Sequence, residues 1–271
     1  MRARKRFAQH FLEAVWVNKL VTAVAATPDD SILEIGPGRG AITRPLAEQA
    51  KRLLAIEIDR DLAADLEAAA LPNVTVVTSD VLSVDLVPSL TEWLGAAPGS
   101  GNQFRIVGNL PYNISSPILF RLLDLAARTH GVRDAMLMLQ KEVADRLIAK
   151  VGTGDYGVLT VLTAVNADVT RVLSLPPGAF RPQPKVHSAV VRLVFRPSKV
   201  AIADHDLFVR MVRTMFTQRR KTISNALKPF GVERGVEPVL ALATAGIDPR
   251  RRPETLDLAE MAALAAAFSR P

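Results

Sequence analysis

The segment Asn109-Leu110-Pro111-Tyr112, inside GNLPYNISSP at 108–117, carries more chemistry than a surface turn requires. Asn109 offers an amide oxygen. A carbonyl of Leu110 or Pro111 offers a second acceptor, since proline rigidifies a turn without consuming its carbonyl. Two acceptors converging on one point hold an NH2 group whose lone pair is otherwise delocalised into a ring, and Tyr112 beside them can stack on that ring. The matching substrate is a planar base with an exocyclic amine. A base inside a duplex cannot reach such a pocket, so the target must be flipped out or already unpaired.

A second group of residues suits the other reactant. LEIGPGRG at 33–40 reads as a strand running into a glycine turn, where Gly36 and Gly38 let the backbone approach a ligand and Gly40 allows close packing of a helix. The following strand, LLAIEID, ends in Glu57, 21 residues after Gly36, the spacing at which a carboxylate reaches the ribose hydroxyls of a bound nucleoside. Glu34 adds a second acid near the same crevice. It would repel a pyrophosphate but suits a cation, which points to the sulfonium of S-adenosylmethionine rather than a dinucleotide. Asp80, in TSDVLS at 78–83, follows a third strand end. It reads either as an acceptor for the adenine amine of that donor or as a helix cap.

These positions need a scaffold that delivers several strand ends to one edge. Short apolar runs at 31–36, 52–58, 73–80, 104–109, 135–140 and 188–195 alternate with helical stretches such as DRDLAADLEAAA. That alternation predicts an α/β fold, a parallel sheet with helices on both faces. EAVWVNKLVTAVAA, before the first run, has the spacing of an amphipathic helix. After LVFRPSK the texture changes to helical periodicity with no strand-like run. The chain therefore divides into a domain at 1–198 and a small all-helical domain at 199–271.

Composition narrows the partners. With 49% hydrophobic and 23% charged residues the chain is globular rather than disordered. No apolar run approaches membrane-spanning length, and the basic start lacks a secretory signal core, so a cytoplasmic protein without membrane association is expected. Zero cysteines fit a reducing compartment, and no metal-ligand spacing links His130, His187 and His205, so no metal is expected. The first 175 residues carry 18 basic and 19 acidic side chains, the last 96 carry 16 and 8. Arg219, Arg220 and Lys221 in QRRK and Arg250, Arg251 and Arg252 in RRR concentrate this excess, which suits a polyanion such as nucleic acid. A further basic tip is formed by Arg2, Arg4, Lys5 and Arg6.

With these residues in hand, the chain resembles the rRNA adenine N6-dimethyltransferases of the kasugamycin-resistance type. KRFAQHFL (5–12), EIGPGRGAIT, AIEID, SDVL, NLPYNISSP, FRPQPKVHSAV (180–190) and MFTQRRKTISNAL (215–227) carry the resemblance almost end to end. It implies a Rossmann-like class I methyltransferase sheet and S-adenosylmethionine as methyl donor, held by His10, Leu12, Gly36, Gly38, Glu57, Asp80 and Asn109. It further implies catalysis at Asn109, Leu110, Pro111 and Tyr112. The implied reaction is N6,N6-dimethylation of two adjacent adenosines in the 3′-terminal hairpin of small-subunit (16S) rRNA, by a monomer acting on the assembling 30S subunit with rRNA gripped by the basic C-terminal residues. Two departures stand out: Ala8 where the family often has glycine, and His10 where it often has asparagine. Alternative readings are a ribosome-assembly factor with secondary methylation, and a large-subunit rRNA adenine methyltransferase conferring macrolide resistance.

Overall fold

The computed structural model describes residues 10–99 and 101–269; Arg2, Arg4, Lys5, Arg6 and Ala8 lie outside the described residues. Contacts within the chain divide it into two compact units, 1–144 with 168–196, and 145–167 with 197–271.

The first unit opens with β1 (Phe11–Leu12) and α1 (Ala14–Val24). Val17, Leu20, Val21 and Val24 give α1 its buried face at three- and four-residue spacing, and Ala25 in the left-handed conformation ends it. Alternation then follows as β2 (Ser31–Ile35), α2 (Thr43–Ala47), β3 (Arg52–Glu57), α3 (Arg60–Ala68), β4 (Val74–Thr78), α4 (Leu86–Leu94), β5 (Phe104–Asn109), α5 (Ser115–Thr129) and β6 (Val132–Gln140). α6 (Lys141–Leu147) carries the chain into the second unit, where α7 (Val158–Asn166) lies. β7 (Ala167–Leu175), β8 (Phe180–Arg181) and β9 (Ser188–Phe195) belong to the first unit again, apart from Ala167.

Among the described residues the main sheet runs β4-β3-β2-β5-β6-β9-β7, and β1 with β8 forms a separate two-stranded ribbon. β2 pairs in parallel with both β3 and β5, β3 with β4, and β5 with β6. Strand order therefore reverses at β2, and the carboxyl ends of β2 and β5 lie side by side, where open α/β sheets bind ligands. β9 runs antiparallel to β6, which corrects the expectation of a wholly parallel sheet. Orientation is invisible in a short apolar run, and mixed edges on largely parallel sheets are common. β7 was not among the expected strands. Its half-buried, polar-interrupted sequence ADVTRVLSL hides it.

β6 also begins earlier than its apolar pattern, because Arg133 and Asp134 interrupt that pattern with charge. The charges are matched. Buried Arg105 reaches Asp134 at 2.7 and 3.1 Å, Asp30 at 3.0 Å and the Val24 carbonyl at 2.7 Å, while half-exposed Arg133 and Arg192 close the network from the rim. Burial alone would raise the Asp30 carboxyl; the Thr27 N–H, Arg105 and Arg133 outweigh it and hold it below the ordinary carboxylate range. This cluster ties the end of α1 to the amino-terminal ends of the strands, away from the ligand edge.

The second unit is helical: α7, then α8 (His205–Thr217), α9 (Ile223–Ala226), α10 (Lys228–Arg234), α11 (Pro238–Thr244) and α12 (Leu258–Ser269). Residues 145–167, which the sequence places with the sheet, pack here. α7 buries Leu159, Val161, Leu162 and Val165, and a helix this apolar needs cover on most sides. It touches α8 and α12, and Tyr156 just before it donates to the Leu256 carbonyl at 3.0 Å.

Candidate active site

β2 is buried at all five positions, so its residues hold the sheet and the turn after it must supply the chemistry. Gly38 and Gly40 adopt φ of +57° and +75°, which side chains rarely tolerate. A Cβ on Gly38 would stand 3.4 Å from the Phe11 ring, and one on Gly40 3.0 Å from Leu66 of α3. The turn is pinned from β3: Glu57, 5% exposed, accepts from the Gly38 N–H and the Asp59 N–H, each at 2.9 Å. Each oxygen keeps a further lone pair for a ligand hydroxyl.

Glu34 departs from its expected role. It is buried beneath the turn, it does not line the cavity, and its Oε2 has no hydrogen-bond partner among the described residues. Burial, with the Glu57 charge adding to it and Thr43 opposing, pushes its carboxyl up to about 7. Near neutrality it is thus about half protonated and a weaker attractor of cations than an ordinary carboxylate. Asp80 is a turn cap, its Oδ1 accepting from the Leu82 N–H at 2.9 Å, and it also lines the cavity.

Asn109 ends β5 opposite this turn. Its Nδ2 donates to the His10 carbonyl at 3.1 Å. A carbonyl cannot donate, so the amide orientation is determined, and Oδ1 is left with no partner among the described residues. The Pro111 carbonyl accepts from the Ile114 N–H, whereas the Leu110 carbonyl has no partner among the described residues. Of the two candidate second acceptors, Leu110 is therefore the uncommitted one. The Leu110 side chain is buried and its N–H donates to the Met138 carbonyl, so that carbonyl is rigidly presented. Tyr112 stacks on the His10 imidazole, with centroids 5.6 Å apart and planes inclined 23°, and shares a 2.5 Å hydrogen bond with the Ser188 hydroxyl. Burial raises the Tyr112 phenol and the Ser188 contact partly offsets it.

His10, Leu12, Gly36, Gly38, Glu57, Asp80, Asn109, Leu110, Pro111 and Tyr112 all line one cavity of roughly 1010 Å³, counting space open to solvent. The sequence reading missed Phe11, Arg39 and Ile58 in its wall. Arg39 lies 4.3 Å over the Phe11 ring, and Ile58 is 45% exposed directly after the buried strand β3. An exposed isoleucine following a strand-end acid was the available signal; it suits the face of a planar ring. Among the described residues, no group of three or more His, Cys, Asp or Glu is placed to hold a metal ion, and no helix is long and apolar enough to cross a membrane.

The predicted basic residues gather within the second unit. The Ile223 N–H donates to the Arg251 carbonyl at 2.7 Å, which sets QRRK beside RRR. Their side chains differ in commitment. Arg251 pairs with Glu260 at 2.5 and 3.0 Å, Arg250 with Asp248 at 3.2 Å, and Arg219 donates to the Gly154 carbonyl at 2.8 Å. Arg220, Lys221 and Arg252 are exposed and have no side-chain partner among the described residues.

Comparison with known proteins follows the same lines. The family described as ribosomal RNA adenine dimethylase matches residues 1–268. The chain is 45% identical over 267 residues to a "Ribosomal RNA small subunit methyltransferase A" of Xylella fastidiosa, covering 97% of this chain and 95% of the relative. It is 44% identical over 276 residues to the protein of that name from Geobacter metallireducens, covering 99% and 96%. Among solved structures, a dimethyladenosine transferase from Plasmodium falciparum superposes with a TM-score of 0.76 at 24% identity, covering 96% of this chain and 98% of that one. The 23S rRNA methyltransferase ErmE gives 0.63 at 28%, covering 96% and 100%.

Proposed function

The chain belongs to the ribosomal RNA adenine dimethylase family, and we propose that it dimethylates the N6 amines of two adjacent adenosines in the 3′-terminal hairpin of small-subunit rRNA, with S-adenosylmethionine as donor. The observation that carries this reading is the fixed amide of Asn109. With its NH2 spent on the His10 carbonyl, its oxygen and the Leu110 carbonyl are the acceptors at the rim. The donor supplies a sulfonium methyl. The cavity residues fit it: Glu57 retains lone pairs for ribose hydroxyls, Ile58 offers an apolar face to adenine, and the glycine turn leaves backbone where side chains would intrude. Tyr112 stacks on the target base while the two acceptors hold its amine hydrogens, which directs the nitrogen lone pair out of conjugation and stabilises the charge that develops on nitrogen. Neither acceptor is a base, so their contribution is positional and electrostatic.

The helical unit would grip rRNA phosphates through Arg220, Lys221 and Arg252 first, with Arg219 and Arg250 joining by exchange of their surface contacts. Arg251 is assigned instead to holding α12 through Glu260. We further propose that the protein works as a cytoplasmic monomer on assembling 30S subunits. The large-subunit alternative is disfavoured by the higher identity to proteins named for the small subunit.

The test is incubation with tritiated S-adenosylmethionine and small subunits from a strain lacking this modification, followed by digestion and mass spectrometry. Dimethyladenosine at two adjacent small-subunit positions is the expected product; label confined to large-subunit rRNA would overturn the substrate. Asn109→Ala should lower transfer by roughly a hundredfold or more while rRNA binding stays near wild type.

A further inference from the structure

The mechanism above asks Tyr112 to present a flat ring in one orientation, yet Tyr112 sits on a turn after Pro111, outside any helix or strand. A side chain on such a segment needs an external tether to be held to the tolerance that catalysis requires. Its hydroxyl meets Ser188, 76 residues further along the chain, at 2.5 Å. Ser188 is the first residue of β9, opposite Gln140 at the end of β6, and is 1% exposed. The backbone beside it is fixed because the His187 carbonyl accepts from the Lys141 N–H at 2.9 Å. Ser188 is buried and does not line the cavity, so its contact with the site runs through the Tyr112 ring. A second restraint comes from His10, whose imidazole stacks on Tyr112 and whose Nδ1 bonds the Pro182 carbonyl at 2.7 Å. The ring is thus held at its hydroxyl tip by β9 and along its face by a histidine anchored to the segment leading into β9.

We propose that Ser188 is a positioning residue for methyl transfer: its hydroxyl sets the plane of the Tyr112 ring on which the target adenine stacks. The inference rests on Tyr112 being the stacking residue of the proposed reaction, and a substrate-free measurement separates the two. The chain has two tyrosines, so ζ-carbon-labelled protein gives two resonances, assigned with Tyr156→Phe. Ser188→Ala should displace the Tyr112 resonance and leave that of Tyr156 in place. In single-turnover transfer to unmethylated small subunits at saturating donor, Ser188→Ala and Tyr112→Phe should each slow the reaction about tenfold with donor Kd within about twofold of wild type. The double variant should lose no more than either single one, because both remove the same bond, and Ser188→Thr should restore most of the rate. An unmoved Tyr112 resonance, multiplied losses in the double variant, or a loss confined to donor affinity would overturn the proposal. A wild-type protein that leaves small subunits unlabelled while its Tyr112 resonance still answers to Ser188 would overturn the substrate and support the tether.

Discussion

Replacing Glu57 by Gln alters the contact between the glycine turn and β3, and its cost follows from two hydrogen bonds. The carboxylate accepts from the Gly38 N–H through Oε2 and from the Asp59 N–H through Oε1, both at 2.9 Å. The side chain is only 5% exposed, so water replaces a lost partner poorly. An amide keeps one acceptor and turns its NH2 against the other N–H. The retained bond loses its charge assistance, about 1 kcal/mol, and the buried donor facing a donor costs about 1–3 kcal/mol more. This total of about 2–4 kcal/mol should appear in the ligand-free protein as a fall in Tm of about 4–16 °C. Separately, the loss of a charged acceptor for ribose should weaken S-adenosylmethionine binding roughly 10- to 100-fold. Scanning calorimetry measures the first quantity and isothermal titration the second. Donor affinity within threefold of wild type would refute the assignment of Glu57 to the donor. An unchanged Tm would refute the claim that these two bonds hold the turn.

Four further outcomes test other parts of the structure. Glu34 is protonated more tightly in the fold than in the unfolded chain, so the stability it contributes is greatest below about 4.5 and is lost as pH rises to about 7. Glu34→Gln removes that loss, and its Tm relative to wild type should rise by on the order of a few degrees between pH 5 and pH 8; a pH-independent difference would refute the buried, raised carboxyl. Arg105→Met removes the buried partner that Asp30 and Asp134 share and leaves each with only its rim arginine, a cost of about 3 kcal/mol at pH 7. Asp30 is held low in the wild type, so its contribution is present above about 4 and is lost on further acidification, whereas in the variant Asp30 lacks the Arg105 contacts that hold it low and is neutralised by acid sooner. The stability gap in denaturant titrations should therefore narrow from pH 7 to pH 4, with donor affinity of the folded protein unchanged. Arg220→Glu with Lys221→Glu should weaken rRNA binding and reduce its salt slope by about 2 without touching donor affinity, while Arg251→Ala should mainly lower Tm through the loss of Glu260.

Much of this site is legible along the chain because its parts lie at the ends of strands whose runs are read locally. LEIG followed by PGRG, IE followed by ID, and IVG followed by NLPY each combine a buried strand with the residues just beyond it. Once the alternation implied a largely parallel sheet, those ends had to share an edge, and all ten expected cavity residues do line one cavity. Glu34 misled for the opposite reason. Two residues before Gly36 its side chain alternates to the buried interior, and a carboxylate there is indistinguishable in sequence from one at the rim.

The alternation of strands and helices, the glycine turn, the acceptor-bearing NLPY segment and the basic excess of the C-terminal part are legible along the chain, since each rests on periodicity or on neighbours a few residues apart. Folding in three dimensions settles that β9 runs antiparallel to β6, that Leu110 rather than Pro111 keeps a spare carbonyl, that Arg251 pairs with Glu260 of α12, and that Ser188 meets the Tyr112 hydroxyl. Those outcomes depend on which strands become neighbours and in what register. Strand order and register are set by the summed packing of the whole core, which no short stretch of residues encodes.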